Sequence, residues 1–563
     1  MKLINLLFIS FIFINLTFAQ ISFNTSPTWI STNYPKTSTG CGWADINNDG
    51  WTDLVVANGN DMYRQNVTVY YNNAGTLATT PSWQSSDIDY HGHLSIGDIN
   101  NDGWPDVAVS VYLGASGFTS KGKVKIYMNN AGTLESSPSW VSADSMYTFS
   151  CAFGDADNDG YLDLAVACGE SYNLKIDQMR IYKNVNGTMQ TSPYWKSTNQ
   201  TYGMDVDWAD INKDGKLDLV FVCERGPALA YLNYGDSIGH TPYWTSTDAN
   251  IYSNSLFLAD VNNDGNIDLA VSDNNQIGGT GKFKVYLNTG TTFNTTPFWS
   301  SSFSGYGSGI ALADVDFDGW KDLICGGWWK PCWIYKNTSG TFQTTPQWTS
   351  STSSVVEAIK FADYNNSGLD SVTAIFTGNG TKKLFYLERS PIQKISWIKF
   401  GTTIVPQSDY CFNLENSWLV FKNAPANSTV VTVRYVASHS LDFAVSNWDN
   451  TGVGNYLFKN NSSVGIANIA SETPDKFKLY QNYPNPFNPV TNIKYKISGN
   501  STQWVSLKIY DIRGAIITTL VNENQSPGTY EIKLDGNELN SGVYFYTIKT
   551  NGYTETKKML LVK

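Results

Sequence analysis

The chain has 563 residues, with 38 Lys and Arg against 49 Asp and Glu, so its formal net charge is −11 at pH 7. An acidic chain that has no basic stripe is a poor partner for nucleic acid, and that class of function is excluded. Aromatic residues make up 14% of the chain, and much of this content belongs to Trp and Tyr positions that recur at intervals.

The N-terminus, Met1–Ala19, is predicted to be a signal peptide. Lys2 supplies the positive start, an apolar stretch follows, and Thr17-Phe18-Ala19 resembles a cleavage site before Gln20. A membrane anchor is the alternative, but the apolar run is short for a span. No Cys follows the cleavage site, which disfavours a lipoprotein, and the sequence has no other candidate membrane segment.

An acidic nine-residue segment then occurs six times along the chain. Every copy has oxygen-bearing side chains at positions 1, 3, 5 and 9 and glycine at position 6. The copies are DINNDGWTD at Asp45–Asp53, DINNDGWPD at Asp98–Asp106, DADNDGYLD at Asp155–Asp163, DINKDGKLD at Asp210–Asp218, DVNNDGNID at Asp260–Asp268 and DVDFDGWKD at Asp314–Asp322.

This pattern predicts about six calcium sites. Alternate side chains on a tightly curled loop converge on one point, and Ca²⁺ accepts many oxygen ligands in irregular geometry, whereas Mg²⁺ demands a stricter octahedron. The predicted ligands are the side chains at positions 1, 3, 5 and 9 and the backbone carbonyl at position 7: Asp45, Asn47, Asp49, Trp51 and Asp53; Asp98, Asn100, Asp102, Trp104 and Asp106; Asp155, Asp157, Asp159, Tyr161 and Asp163; Asp210, Asn212, Asp214, Lys216 and Asp218; Asp260, Asn262, Asp264, Asn266 and Asp268; Asp314, Asp316, Asp318, Trp320 and Asp322.

The segments belong to a longer repeat whose starting points lie 50 to 57 residues apart. The flanks of each segment are short β-branched runs, such as Leu54-Val55-Val56, which are typical of buried strands and unlike the helices of an EF-hand. A Pro-x-Trp precedes each segment, and a strand that ends in Tyr and Asn follows it. Four short strands in a unit of this length are typical of one blade of a β-propeller.

These units resemble the FG-GAP or VCBS repeats of integrin-type β-propellers, from about Ser26 to Leu387. The resemblance implies that each acidic loop joins the two innermost strands of a blade and binds calcium on one face. A seventh copy, Asp363–Asp370, lacks the position-5 carboxylate, and we expect no metal there. An eighth stretch keeps Trp397 and a strand pair at 441–460. The predicted fold class is therefore an all-β, seven- or eight-bladed propeller at 20–462, and the count of Trp strands favours eight.

Seven cysteines are consistent with an oxidising compartment. Cys41 and Cys151 occupy a position that is aliphatic in other repeats, so buried core residues are the favoured interpretation. Within repeats, Cys151 with Cys168 and Cys325 with Cys332 are the plausible disulfide pairs, and the sequence leaves both open.

The last segment changes character after a predicted linker at 463–475. Residues 476–563 contain Tyr483-Pro484-Asn485-Pro486-Phe487-Asn488-Pro489 and a series of alternating strands, and the chain ends in Leu560-Leu561-Val562-Lys563. This small β-sandwich resembles the C-terminal sorting domain of type IX secretion; an Ig-like adhesion domain is the alternative. The resemblance implies that type IX secretion machinery is a partner and that the protein is secreted or attached to the outer surface.

The face opposite the acidic loops is the candidate ligand surface. A tyrosine recurs eight residues before five of the loops, with His91 beside the first, and such a ring could stack on sugars or contact a protein. Packing between blades is the alternative for these residues, which are Tyr90, Tyr147, Tyr202, Tyr252 and Tyr306.

Two functions remain open from the sequence. The favoured one is a non-catalytic binding module for adhesion or for glycan or protein capture. The alternative is a carbohydrate-active enzyme of the lyase or dehydratase type. His91-Gly92-His93 is the one histidine cluster, and no catalytic residue is assigned, because catalysis needs an acid and a base in defined positions.

Overall fold

The computed structural model describes residues 21–32, 37–235, 237–248, 252–276, 278–448, 454–462, 467–470, 477–498, 503–525, 527–536, 539–550 and 552–563. The predicted signal peptide lies outside them. Within these ranges the chain is all-β, as predicted, with one 3₁₀ turn at Gln407–Asp409 and no α-helix. No helix in this part of the chain has the length and apolar character of a membrane span. The larger compact unit comprises Ile21–Val315 and Gly319–Ser462, and the smaller comprises Ser463–Lys563, with which Asp316–Asp318 are grouped.

The larger unit is built from antiparallel sheets that each contain one repeat. Sheet 1 contains Ser38–Ala44, Asp53–Asn58, Thr68–Tyr70 and Trp83–Gln84. Sheet 2 contains Tyr90–Gly97, Asp106–Gly114, Val124–Tyr127 and Trp140–Val141, with Gly117–Lys121 as an added strand. Sheet 3 contains Thr148–Gly154, Asp163–Glu170, Lys175–Tyr182 and Trp195–Thr201. Sheet 4 contains Gly203–Ala209, Asp218–Cys223, Leu229–Tyr231 and Trp244–Thr245.

Three further sheets follow the same order. Sheet 5 contains Ser253–Ala259, Asp268–Asp273, Phe283–Tyr286 and Trp299–Ser300. Sheet 6 contains Gly307–Ala313, Asp322–Lys330, Trp333–Tyr335 and Trp348–Thr349. Sheet 7 contains Ser354–Ala362, Asp442–Asn447, Tyr456–Phe458 and Trp29–Ile30. Second strands such as Asp53–Asn58 are buried along their whole length, because neighbouring sheets cover both of their faces. Burial of both faces favours apolar, β-branched residues in these strands.

The first strands of the seven sheets contact one another in a closed cycle, which gives a propeller-like ring. The N-terminal strand Trp29–Ile30 closes the ring by pairing with Leu457 and Tyr456. The described residues thus give seven sheets that share this order of four strands, and they contain no eighth blade of the kind that the count of Trp strands favoured. Trp397 was counted in error, because its strand Ile392–Phe400 pairs with Thr403–Val405 and Val430–Ser438 outside the ring.

Residues 369–438 form an insertion between the first and second strands of sheet 7. One of its two sheets contains Leu369–Thr377, Val430–Ser438, Ile392–Phe400 and Thr403–Val405. The other contains Leu384–Tyr386, Trp418–Phe421 and Tyr410–Phe412. Phe385, Phe421 and Tyr435 belong to the apolar core between them. The insertion therefore has its own small core, and it occupies the place of an acidic loop.

The smaller unit is a sandwich of two four-stranded sheets, as predicted. One contains Ala467–Ala470, Gly528–Asp535, Val490–Ile497 and Lys478–Leu479. The other contains Ile516–Gln525, Gln503–Tyr510, Gly542–Thr550 and Tyr553–Leu561. Its core includes Leu507, Tyr495 and Ile548. Ala467–Ala470 was assigned to the linker but pairs with Gly528–Asp535, so those four residues belong to the sandwich. The rest of 463–475 lies outside the described residues.

All seven cysteines are free and buried, which confirms the core interpretation. Cys151 is opposite Val166 in the strand pairing of sheet 3, and Cys325 is opposite Trp333 in sheet 6. Neither of the two plausible disulfides is therefore formed.

Candidate metal sites and axial cavity

Each acidic loop connects the first and second strands of its sheet, and its backbone curls around the position-1 carboxylate. In the first loop the Asp45 carboxylate accepts hydrogen bonds from the Asp49 and Gly50 amides at 3.0 and 2.8 Å. The Asn47 side-chain oxygen accepts from the Asp49 amide at 3.1 Å. Asn48 and Gly50 have φ of 54° and 92°, conformations that asparagine and glycine adopt most readily. These bonds hold the side chains of positions 1, 3 and 5 close together.

The third loop shows how well the acidic loops fit a cation. One carboxylate oxygen from each of Asp155, Asp157 and Asp159 lies within 4.8 Å of the others. Asp157 Oδ1 is buried and has no hydrogen-bond partner. Three converging carboxylates, one of which has a buried oxygen without a hydrogen bond, form a donor set that suits a hard divalent cation. Asp314, Asp316 and Asp318 of the sixth loop converge in the same way.

Burial makes the negative charge of these loops costly. It raises the pKa of Asp155 to about 7, with the nearby charges of Asp159 and Asp157 adding to the effect. It also raises the pKa of Asp98 to about 6. A carboxyl group whose pKa is raised is less stable in its ionised form than it is in water. A bound cation would offset that loss, because it supplies the opposite charge at the same place.

The position-9 carboxylates are fully buried and fix the backbone around each loop. In sheet 1, the Asp53 carboxylate accepts hydrogen bonds from the Ile46 and Asn72 amides at 3.0 and 2.8 Å. A carboxylate offers about four lone-pair sites, so each oxygen keeps one site for a cation. The pKa of Asp53 is raised to about 7, chiefly by burial. Whether position 9 also contacts a metal remains a prediction.

A buried asparagine after the third strand links every loop to the loop of the preceding sheet. The side-chain amide of Asn129 donates to Pro105 O of its own loop at 3.2 Å and to Ile46 O of the first loop at 2.8 Å. The seven equivalent bonds between sheets are 2.5 to 2.9 Å long and follow one another around the ring. The donors are Asn72, Asn129, Asn184, Asn233, Asn288, Asn337 and Asn460. This set was not singled out from the sequence, although an Asn recurs at the end of the third strand.

We expect these asparagines to stabilise the ring, and two neighbouring residues allow a matched test. Asn129→Ala removes both amide bonds and leaves buried carbonyls unpaired, so it should lower the free energy of unfolding by about 1–3 kcal/mol. Asn130 is exposed, and Asn130→Ala should change it by less than about 0.5 kcal/mol. Urea unfolding measures both, and equal values for the two variants would contradict the role.

The seventh loop obtains its position-9 carboxylate from a residue that follows the insertion. Asp363 accepts hydrogen bonds from the Ser367 and Gly368 amides at 2.9 and 2.7 Å, as the other position-1 carboxylates do. The position-9 role falls to Asp442, which accepts from the Asn460 amide at 2.7 Å. Asp370, which the sequence placed at the end of this loop, instead forms an ion pair with Arg389 at 2.6 Å. The seventh loop still lacks a position-5 carboxylate.

The predicted tyrosine ring lies at the end of the propeller away from the loops, but its members are packed to different degrees. Tyr147 is 6% exposed and donates to Phe118 O at 3.0 Å. His91 is fully buried, with Nδ1 2.7 Å from Asn58 O. The four half-buried members are Tyr90, Tyr202, Tyr252 and Tyr306. His93 lies in the first strand of sheet 2, with Nδ1 3.5 Å from Oδ1 of Asp205 in the first strand of sheet 4.

A cavity of about 130 Å³ opens at this end, on the ring axis. Every sheet contributes to it at or just after its second strand, through Asn60, Asp61, Tyr112, Tyr172, Glu224, Gln276, Trp328, Trp329 and Trp448. Trp329 is 56% exposed and Tyr172 42% exposed, while Trp328 stacks on Trp448 with ring centroids 6.0 Å apart. One or two residues from each of seven sheets form this cavity, so no local sequence motif indicates it.

Buried carboxyl groups lie beside the aromatic side chains of this cavity. Glu357, in the first strand of sheet 7, lines the cavity and accepts a hydrogen bond from Ser308 Oγ at 2.9 Å. Glu224 bonds Ser171 Oγ. Burial raises the pKa of Glu357 to about 8 and that of Glu224 to about 7. The cavity therefore combines aromatic faces with hydrogen-bonding carboxyl groups, which suits a sugar ring or a cationic side chain.

Family comparisons agree with this architecture. The FG-GAP-like repeat family matches residues 22–109, 112–166, 214–271 and 260–325, and the FG-GAP repeat family matches 92–127. The larger unit is thus an FG-GAP repeat protein with a propeller-like fold. The family described as a secretion system C-terminal sorting domain matches residues 481–563. The chain therefore contains FG-GAP repeats followed by a type IX sorting domain, and it is directed to secretion or to the outer surface.

Curated relatives match only a part of the chain. Integrin alpha-3 of Cricetulus griseus is 34% identical over 145 residues, which cover 22% of this chain and 13% of the relative. Integrin alpha-6 of Homo sapiens is 30% identical over 161 residues, covering 26% and 14%. Integrin alpha-7 of Mus musculus is 34% identical over 137 residues, covering 22% and 11%. The chain thus spans less than a sixth of these relatives, and their similarity supports the repeat and no whole-protein activity.

Proposed function

We propose that this protein is a calcium-stabilised binding module of the cell exterior, which holds an extracellular glycan or protein in the axial cavity. The observation that carries the proposal is that all seven sheets contribute side chains to one aromatic and acidic cavity. Binding pockets are concave and mostly apolar, with a few placed polar groups. The six acidic loops are at the other end of the ring, where bound calcium would stabilise the scaffold without blocking the cavity.

The exposed rings Trp329 and Tyr172 provide the test. Stacking on one aromatic ring contributes about 0.5–1.5 kcal/mol beyond area burial, so Trp329→Ala with Tyr172→Ala should weaken binding roughly ten- to a hundredfold. A glycan array probed with the secreted protein in calcium identifies a ligand, and titration of that ligand measures the loss. Melting curves should stay unchanged, since both rings are largely exposed.

Two other exposed aromatics serve as a control. Tyr243 is 53% exposed and Phe298 49% exposed, and both precede an outer Trp strand, away from the axis. Tyr243→Ala with Phe298→Ala removes a comparable aromatic area and should leave affinity unchanged. If the two double variants lose affinity equally, the ligand does not bind in the axial cavity.

A further inference from the structure

A second cavity lies at the acidic-loop end of the ring, between the insertion and loops of sheets 3 to 6. It has a volume of about 920 Å³, within the range of about 300–1,000 Å³ that is typical of ligand pockets. Lys213 and Lys216 line it from the fourth loop, Lys321 from the sixth, and Lys382 and Lys383 from the insertion. We call this volume the lysine cleft.

Three of these lysines are departures from the repeat's own pattern. Lys213 is at position 4, where four other loops have Asn and the sixth has Phe317. Lys216 is at position 7, where four other loops have Trp or Tyr and the fifth has Asn266. Lys321 is at position 8, which is uncharged in every other copy. The other two come from the insertion, which has no counterpart elsewhere in the ring. The departures thus converge on one cleft.

The ammonium groups in the cleft are only partly neutralised. Lys216 Nζ lies 3.0 Å from Asp214 Oδ2. Lys383 Nζ donates to Asn158 O at 2.7 Å and Lys321 Nζ to Ser390 Oγ at 2.5 Å, which are uncharged acceptors. Among the described residues, no carboxylate forms an ion pair with Lys213 or Lys382. Donors that bond only neutral atoms keep their charge available for an anion.

Six carboxylates line the cleft, and all of them except the exposed Glu388 have another partner or a predicted role in an acidic loop. Glu415 pairs with Lys360 at 2.6 Å, and Asp157 pairs with Lys183. Asp210, Asp214 and Asp260 are predicted cation ligands of the fourth and fifth loops. A divalent cation in each of those loops would offset their charge and free Lys216, so the cleft becomes positive when calcium is bound. Only the positive charge of the cleft rests on the proposed function, because it requires calcium in these loops.

We propose that the lysine cleft binds an acidic polysaccharide, through carboxylate or sulfate groups spaced along the chain. Asn379, Thr381, Ser390 and Asn416 also line the cleft and can bond sugar hydroxyls. Tyr386 adds an aromatic face. Nucleic acid fits less well, because proteins that bind single strands stack successive bases on several aromatic side chains, whereas Trp208 and Phe257 of the cleft lining are buried.

The test uses the secreted protein in calcium with four probes of similar length: oligogalacturonate, dextran sulfate, neutral dextran and a single-stranded oligonucleotide. We expect binding to oligogalacturonate or dextran sulfate, and the stronger of the two identifies the anionic group. The affinity should fall as salt is raised. Equal binding of neutral dextran, tighter binding of the oligonucleotide, or no binding of either acidic probe overturns the proposal.

The variant is Lys213→Asn with Lys382→Ala. Asn is the repeat's own residue at position 4, so we expect the protein to fold, which an unchanged melting curve checks. Two lost ion pairs should weaken binding roughly tenfold. The control, Lys175→Ala with Lys330→Ala, removes two exposed charges at the other end of the ring and should have no effect. Equal loss in both variants overturns the cleft assignment.

A calcium-dependent melting temperature, measured separately, distinguishes the two proposals. If calcium stabilises the protein but no acidic probe binds, the cleft assignment fails and the scaffold proposal stands. If calcium has no effect on melting but the lysine variant still weakens binding, the scaffold proposal fails and the cleft stands without its cations.

Discussion

Excess EDTA should lower the melting temperature of this protein by on the order of 10 °C, and added calcium should restore it. The physical reason is the close approach of carboxylates in the loops, as at Asp155, Asp157 and Asp159. A site saturated a hundredfold above its Kd contributes about 2.7 kcal/mol to stability, and about 1 kcal/mol shifts Tm by roughly 2–4 °C in domains of 150–250 residues. A larger unit shifts less for each kilocalorie, but six loops act together.

The control for chelation uses the loop repeats themselves. Asp159→Ala removes a position-5 carboxylate and should reduce the number of bound calcium ions by one, because each loop is formed locally. Ser367→Ala changes position 5 of the seventh loop, where no carboxylate exists, and should leave the number unchanged. Calorimetric titration of calcium into the stripped protein counts the sites. A melting curve that is the same with and without EDTA would falsify the calcium assignment.

Removal of the smaller unit should abolish export and leave the propeller folded. Among the described residues, the core of that unit, from Leu479 to Leu561, is formed by its own side chains. A chain that ends at Ser462 should therefore keep the melting transition of the propeller and accumulate inside the cell. Immunoblots of cells and of culture medium, in a host that has type IX secretion, measure the distribution.

Substitutions at two adjacent residues test whether export requires the sorting domain to be folded. Ile548 is 1% exposed, and Ile548→Asp places an unpaired charge in the core of the sandwich, at a cost of several kcal/mol. Lys549 is exposed, so Lys549→Asp should leave the sandwich folded and the protein exported. If the chain lacking 463–563 still reached the medium, the sorting assignment of this unit would be wrong.

Much of the fold could be predicted because it consists of short sequence repeats. The strands on either side of Asp45–Asp53 and the four-stranded unit follow from local patterns of apolar residues and turns. The blade count did not follow, because it depends on which strands pair across long distances. Trp397 has Ile395 where the true Trp strands have Pro two residues earlier. That difference was the available signal that its strand is not part of the ring.

The candidate site was predictable only where its residues are neighbours in the sequence. The loop residues Asp45, Asn47 and Asp49 are held together by bonds within one turn, so their spacing indicates their proximity. Asp442 could not be assigned to the seventh loop, since the insertion separates it from Asp363. The axial cavity could not be assigned either, because each sheet supplies only one or two of its residues, such as Tyr172 and Trp329.

The closure of sheet 7 by the N-terminal strand makes the ring depend on both ends of the larger unit. Trp29–Ile30 is held against Tyr456–Leu457 by a short ladder, and Phe23 is bridged to Asn460 a few residues away. The two ends of the larger unit thus meet in one sheet. Pairing of strands so distant in the sequence has a high entropic cost of loop closure, so we expect closure of the ring to be a late step in folding.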